Sequence, residues 1–238
     1  ALPISGDEMA VICGVKLNVV DDPTYEYRAK LAKESNGCME SLERGRNYCL
    51  TALIKNEQGY RDICELMTLA NTREQFYFVP RLALDQLAAT YAKGNILLLT
   101  SDIGSVFQRP DFAKIISALI TAGGRENFYS VVYPHPTPFY DQINVRAMKV
   151  ASALKIEPVA FYPAYYEGVD DADIKDIAHM VINNIKVDQP HRLRIPHQRD
   201  NAINGRRHLL QALKEFSVRM GVSVSAATAS TTQDSIVK

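Results

Sequence analysis

Short apolar runs alternate with amphipathic stretches along this 238-residue chain, and that alternation limits its fold more than any other feature. Tyr48–Ile54 (YCLTALI), Ile96–Leu99, Phe128–Tyr133 (FYSVVY) and the run opening at Pro158 are apolar, short and bounded by turn formers, as buried strands are. Met9–Val20 (MAVICGVKLNVV) reads as a further interior strand with a glycine in it, closing on Asp21-Asp22-Pro23.

Between these runs the apolar period lengthens to that of a helix. Asn56 is placed to cap a helix whose Tyr60, Ile63, Cys64, Met67, Leu69 and Ala70 follow a 3.6-residue repeat. Asp85–Tyr91 stops at Lys93-Gly94, Asp111–Ala122 stops at Gly123-Gly124, and Tyr140–Leu154 leads into the Pro158 run. Ala172–Ile185 is expected to turn Ile174, Ile177, Ala178, Val181, Ile182 and Ile185 inward, with acids in its first turn to suit the macrodipole. A last helix runs from about Gly205 to Met220. Thr24–Arg46, charged and interrupted by Asn36-Gly37 and Arg44-Gly45, reads as a surface excursion or irregular hairpin, and Phe76–Pro80 as an extended aromatic segment. Residues 222–238 are rich in Ser, Thr and Ala and read as a mobile tail, which leaves residues 1–221 as one folded domain. Strand and helix in regular succession predict an α/β fold with a parallel sheet, open or closed into a barrel.

Composition removes several functional classes. The 27 Lys and Arg residues balance the 27 Asp and Glu residues, so no global field draws the chain to nucleic acid or membrane. Four cysteines without CxxC spacing read as reduced thiols rather than zinc ligands or disulfides. No apolar run approaches the ~20 residues that span a bilayer, and no signal-peptide layout opens the chain, so a soluble cytoplasmic protein without a membrane partner is expected. Positive charge is concentrated only at Arg192, Arg194, Arg199, Arg206 and Arg207, which could contact phosphates or an acidic protein face. His179, His191, His197 and His208 show neither HxxxH nor HExxH spacing and read as surface or capping residues; no Gly-x-Ser-x-Gly elbow surrounds Ser101.

The stretch from Pro158 to Ile195 reads as a strand, a turn, a helix and a basic exit. In α/β domains chemistry sits just past the C-terminal end of a strand. Here that place offers Pro163 and Tyr165 among Phe161, Tyr162 and Tyr166, which include no strong acid, base or metal ligand.

KNEQGYRDICELMTLA (55–70), FYFVPRLALDQL (76–87), GNILLLTSDIGSV (94–106), NFYSVVYPH (127–135) and VDQPHRLRI (187–195) occur in an order and spacing that resemble the polymerase-and-histidinol-phosphatase (PHP) domain of bacterial replicative DNA polymerase III α subunits. Gly14-Val15-Lys16-Leu17 aligns with that family's Gly-x-Glu strand. The resemblance implies an irregular (β/α) barrel whose active members hold two or three metals at the C-terminal mouth and cleave phosphoesters. Carried over residue by residue, the metal set fails. The His-x-His strand would precede Met9; Lys16 replaces the Glu, Cys49 a His, Ser101 a Cys and Val131 a Glu, while Pro163 and Tyr165 replace an Asp-x-His pair. His135 alone keeps a family residue type. Divalent metals need carboxylates and imidazoles converging at about 2.0–2.3 Å, and a lysine in a partly buried site would repel the ion.

The resulting expectation is an incomplete or distorted (β/α) barrel of PHP type, mostly parallel, with no catalytic residue, metal or cofactor. Such a module would serve DNA replication as a structural or protein-interaction component, binding a polymerase subunit, another replication protein or a second copy of itself at its open edge. Phe161, Tyr162, Tyr165 and Tyr166, with Tyr133 and His135, would fill the former metal cavity or stack on a partner. Two alternatives stay open: a metal-dependent phosphoesterase or 3′–5′ exonuclease using Mn, Zn or Mg through relocated ligands, and a DNA-binding accessory acting through Arg192–Arg207.

Overall fold

The computed structural model describes residues 2–3, 10–24, 26–27, 29–30, 33, 47–101, 104–135, 138–162, 164–182, 186, 188 and 206–221. They fall in two compact units, one drawn from Ala1–Val131 and Arg146–Pro158, the other from Val132–Val145 and Val159–Ile236.

The strands are β1 (Leu2–Pro3), β2 (Ala10–Val11), β3 (Gly14–Val20), β4 (Tyr48–Ile54), β5 (Leu82–Ala83), β6 (Ile96–Thr100), β7 (Phe128–Val132) and β8 (Glu157–Ala160). β1 and β2 form a small antiparallel pair, and the other six make one open sheet in the order β5-β3-β4-β6-β7-β8. β3 pairs with β5, and β6 with β7, in parallel, whereas β4 runs antiparallel to both of its neighbours. The sheet is thus mostly parallel and unclosed, as the alternation predicts, with β4 reversed. The single interior strand expected over Met9–Val20 is divided: exposed Ile12 and Cys13 separate β2 from β3, although the Cys13 carbonyl still accepts the Ile54 N–H at 3.0 Å.

The helices are α1 (Glu57–Ala70), α2 (Leu84–Tyr91), α3 (Phe112–Gly123), α4 (Pro138–Leu154), α5 (Ala172–Ile182) and α6 (Arg206–Met220). Asn56 caps α1 as expected, its Oδ1 accepting the Gly59 N–H at 2.8 Å. Of the expected stripe Ile63 and Ala70 are buried, together with Gly59, Asp62 and Leu66, whereas Tyr60, Cys64 and Leu69 are exposed. Gly59 sets this rotation. A Cβ there would stand 2.3 Å from the Asn95 carbonyl oxygen, so only glycine lets the helix approach the turn before β6. Within 24–46, Glu26, Tyr27, Ala29, Lys30 and Lys33 are helical rather than hairpin.

In the first unit α1 packs on β4, and α2 on β6 and on α3. The sheet face carrying Leu17, Val19, Leu50, Ala52, Leu98 and Phe128 is fully buried. Ser130 on this face donates to the Ala147 carbonyl of α4 at 3.0 Å, and the Thr100 hydroxyl accepts the Val131 N–H at 2.8 Å, so both of these core hydroxyls are satisfied. In the second unit α5 departs from expectation: Ala172 and Met180 are buried, while Ile174, Ile177, Val181 and Ile182 are exposed. The apolar stripe of α5 points outward. Ile185, Pro163, Arg192, Arg194, Arg199 and the 222–238 tail lie outside the described residues.

Candidate functional site

The positions singled out in the first unit meet on one face of the sheet. Register pairs Lys16 with Thr51, Asn18 with Cys49 and Thr51 with Leu99 across β3, β4 and β6, and Leu99 with Tyr129 across β6 and β7. Side chains alternate along a strand. Stepping two residues on places Ser101 and Val131 at the level of Cys49, so Lys16, Cys49, Ser101 and Val131 share a face with Asn18 and Thr51. The hydroxyls of Thr51 and Ser101 lie 3.5 Å apart, which fixes this directly. The face is the more open of the two: Lys16 is exposed and Asn18 and Thr51 half-buried, whereas Cys49, Ser101 and Val131 are buried.

Its chemistry does not fit a divalent metal cluster. The face presents an ammonium, a thiol, two aliphatic hydroxyls, an amide and an isopropyl group, with Leu99 and the Tyr129 phenol beside them. The Cys49 thiol donates to Asn18 Oδ1 at 3.4 Å, while Asn18 Nδ2 donates to the Pro80 carbonyl at 3.2 Å. Among the described residues no three His, Cys, Asp or Glu side chains are grouped to hold a metal ion. Because Lys16 is exposed rather than partly buried, its repulsion of a cation is screened. Loss of donors, more than the lysine charge, argues against the metal here.

In the second unit rings close around His135. The buried imidazole stacks on Tyr162 with centroids 4.0 Å apart and lies 5.4 Å from the Tyr140 ring, which in turn stacks on Tyr133 at 4.8 Å; Phe161 meets Tyr133 edge-on at 6.0 Å. Asn144 holds the strand end by both sides of its amide, accepting the Tyr133 N–H and donating to the Tyr133 carbonyl, each at 2.8 Å. Arg219 of α6 donates to the carbonyls of Pro134 and His135 at 3.3 and 3.1 Å and to Asp141 at 3.1 Å. Tyr165 is half-exposed beneath the Lys175 ammonium, which lies 3.3 Å from its ring centroid. Tyr140, Asn144 and Arg219 were not legible as site neighbours, because only the fold brings them to His135. Arg206 and Arg207 open α6, with their side chains outside the described residues.

A family model for the PHP domain matches residues 4–130, which ends within one residue of the first compact unit's longest segment. The chain belongs to the PHP domain family. Relatives agree with the match. DNA polymerase III subunit alpha of Yersinia pestis is 86% identical over 234 residues, covering 98% of this chain and 20% of that protein. The proteins of the same name from Borreliella burgdorferi and Chlamydia trachomatis are 26% identical over 181 residues and 48% identical over 59 residues. These matches cover 73% and 25% of this chain, and 15% and 5% of those proteins. The chain thus spans about a fifth, or less, of the length of the relatives it matches.

The PHP unit also holds a buried cation that no motif announced. Arg109, after β6, grips Asp111 through Nε and Nη2, both at 2.8 Å, and Asp21, after β3, at 3.0 Å, with its guanidinium 5.3 Å over the Tyr48 ring. The Arg109 guanidinium holds the Asp111 carboxyl below the usual range. The Tyr48 hydroxyl is buried without a hydrogen-bond partner among the described residues, and burial pushes its phenol up. This network ties strand ends together and offers no open coordination position. No helix among the described residues is long and apolar enough to cross a membrane.

Proposed function

We propose that this chain is a catalytically silent PHP module that serves DNA replication as a structural or protein-interaction component of a polymerase assembly. One observation carries the reading: Lys16, Cys49, Ser101 and Val131 share one sheet face and supply no carboxylate and no imidazole to it. The names of the similar proteins, all DNA polymerase III subunit alpha, supply the replication setting and with it a cytoplasmic location. Polymerase subunits, another replication protein or a second copy are the partners that fit such a module.

The test is incubation of the purified chain with single-stranded DNA and Mn²⁺, Zn²⁺ or Mg²⁺, alongside metal analysis of the protein as isolated. The expected result is substoichiometric metal and no cleavage. Stoichiometric metal with cleavage abolished by a chelator would establish the phosphoesterase or exonuclease alternative instead. Salt-dependent DNA binding that weakens in Arg206→Ala and Arg207→Ala would shift the reading to a DNA-binding accessory.

A further inference from the structure

The loop between α1 and β5 displays an aromatic side chain in a conformation that does not serve the fold itself. Phe78 has φ +59° and is 83% exposed. A bulky L residue in the left-handed region is strained, and an exposed ring forgoes the gain of burial. The adjoining Gln75 adds a buried amide oxygen without a partner among the described residues. Stability of the unit therefore does not account for this loop.

The loop is nonetheless firmly held. The Tyr77 N–H donates to the Val79 carbonyl at 3.2 Å, and the Tyr77 and Phe78 rings meet edge-on at 4.6 Å. Arg81, buried beneath, donates Nε to the Gln75 carbonyl at 3.1 Å and Nη2 to the Pro23 carbonyl at 2.8 Å, with its guanidinium 5.4 Å over the Tyr77 ring. Phe76 and Tyr77 are exposed beside Phe78. Strained, exposed and pinned aromatics describe a pre-organised anchor, since a rigid side chain loses little entropy when it seats in a partner.

We infer that Phe78 anchors the PHP unit in an apolar socket on the remaining body of a longer polymerase α chain, an inference that rests on the proposed function. Two arguments select this occupant. Within residues 71–81 the exposed Arg73 is offset by Glu74 and the buried Arg81 donates to carbonyls, so the loop itself presents no cluster of exposed cations of the kind that accompanies aromatic platforms for single-stranded nucleic acid. Three partly exposed aromatics bury on the order of 300–400 Å², short of the ~800 Å² per partner typical of a free-standing complex. A patch of that size suffices between parts of one chain, where tethering gives an effective concentration of about millimolar. In the Yersinia pestis relative the matching region makes up 20% of the length, so a longer chain is there to supply such a tethered surface.

The experiment compares this chain alone with a full-length chimera in which it replaces the matching 234 residues of the Yersinia pestis relative, each with and without Phe78→Gly. In the chain alone, Phe78→Gly relieves strain and raises the melting temperature by about 2 °C. In the chimera it lowers the melting temperature of the PHP region, and exchange of the 75–80 amides, slowed about tenfold on going from chain to chimera, returns to the rate of the chain alone. A rise in both contexts, with other surfaces of the region still protected in the chimera, overturns the anchor and leaves the proposed function standing. No protection anywhere in the chimera removes both. A fall in the chain alone makes Phe78 a structural residue. Concentration-dependent dimers, or binding of a single-stranded oligonucleotide, lost in Phe78→Gly would assign the loop to a second copy or to nucleic acid and overturn the assignment made here.

Discussion

Asp62 and Tyr48 show how single buried polar atoms are decided by partners distant in sequence. Asp62, 1% exposed, accepts from Lys93 Nζ at 2.8 Å and from Asn95 Nδ2 at 3.0 Å, binding α1 to the turn that enters β6. The Lys93 and Asn95 hydrogen bonds hold its carboxyl below the usual range, and Asp62 raises the Lys93 ammonium in return. A depressed carboxylate stabilises fully above its unfolded pKa, and a raised ammonium fully below its own. The pair's contribution is therefore flat between about pH 5 and pH 9, fades as the pH drops below about 4 and fades again above about 10. Asp62→Ala is expected to cost about 2 kcal/mol in urea denaturation at pH 7 and less at pH 3; an equal loss at both would show that packing, not charge, is what Asp62 provides. The two buried tyrosines give a paired contrast. Tyr91 donates to the Gly124 carbonyl at 2.7 Å, whereas the Tyr48 hydroxyl is unpartnered among the described residues. Tyr91→Phe should lose about 1 kcal/mol and Tyr48→Phe should be neutral or gain up to about 1 kcal/mol. Melting curves that rank the two variants the other way round would mean that Tyr48 has a partner.

α5 marks where periodicity misleads at the level of elements. Its stripe of Ile174, Ile177, Val181 and Ile182 has helical spacing and reads as a buried face, yet Val181 is 75% and Ile182 82% exposed while Met180 is buried. Ile182→Ser is thus expected to change stability by no more than about 0.5 kcal/mol, whereas Met180→Ala should cost about 2–3 kcal/mol. A loss above 2 kcal/mol for Ile182→Ser, followed by thermal denaturation, would place the stripe inward after all. Amphipathic spacing fixes that a helix forms and gives its ends closely, as in α1, α3 and α6, but the face it buries is chosen by what the fold supplies. α1 turns Asp62 inward because Lys93 and Asn95 wait there, and Gly59 inward because Asn95 leaves no room for a Cβ. Strand direction hides for a similar reason. β4 is apolar on both faces like a parallel strand, and nothing local records that it runs against β3 and β6. The shared face of Lys16, Cys49, Ser101 and Val131 was within reach of the sequence because a collinear resemblance singled out those positions. Asn18 and Thr51 lie two residues along the same strands from Lys16 and Cys49 and so share that face, but no motif marked them as part of the site.

At the scale of the whole molecule, the proposed loss of metal ligands from the PHP sheet has a thermodynamic signature. Metal bound only by the folded state adds RT ln(1 + [L]/Kd), about 2.7 kcal/mol when the ion is present at 100 times its dissociation constant. For a chain of this size such a gain raises the melting temperature by roughly 5–10 °C. With Cys49 donating a hydrogen bond to Asn18, and with Lys16, Thr51, Ser101 and Val131 on the same face, the proposed function predicts no such gain at the sheet. Millimolar Mn²⁺ or Mg²⁺ should leave the melting temperature within about 1 °C of the chelated protein. Lys16→Glu alone should not change that result, because one carboxylate beside a protonated thiol and two hydroxyls still falls short of the several donors a divalent ion needs. A metal-dependent rise of several degrees in the unaltered chain, measured by differential scanning calorimetry, would show that ligands outside this face had taken over the site. The same rise appearing only in Lys16→Glu would mean that a single charge, rather than the whole donor set, separates this module from a metal-binding one.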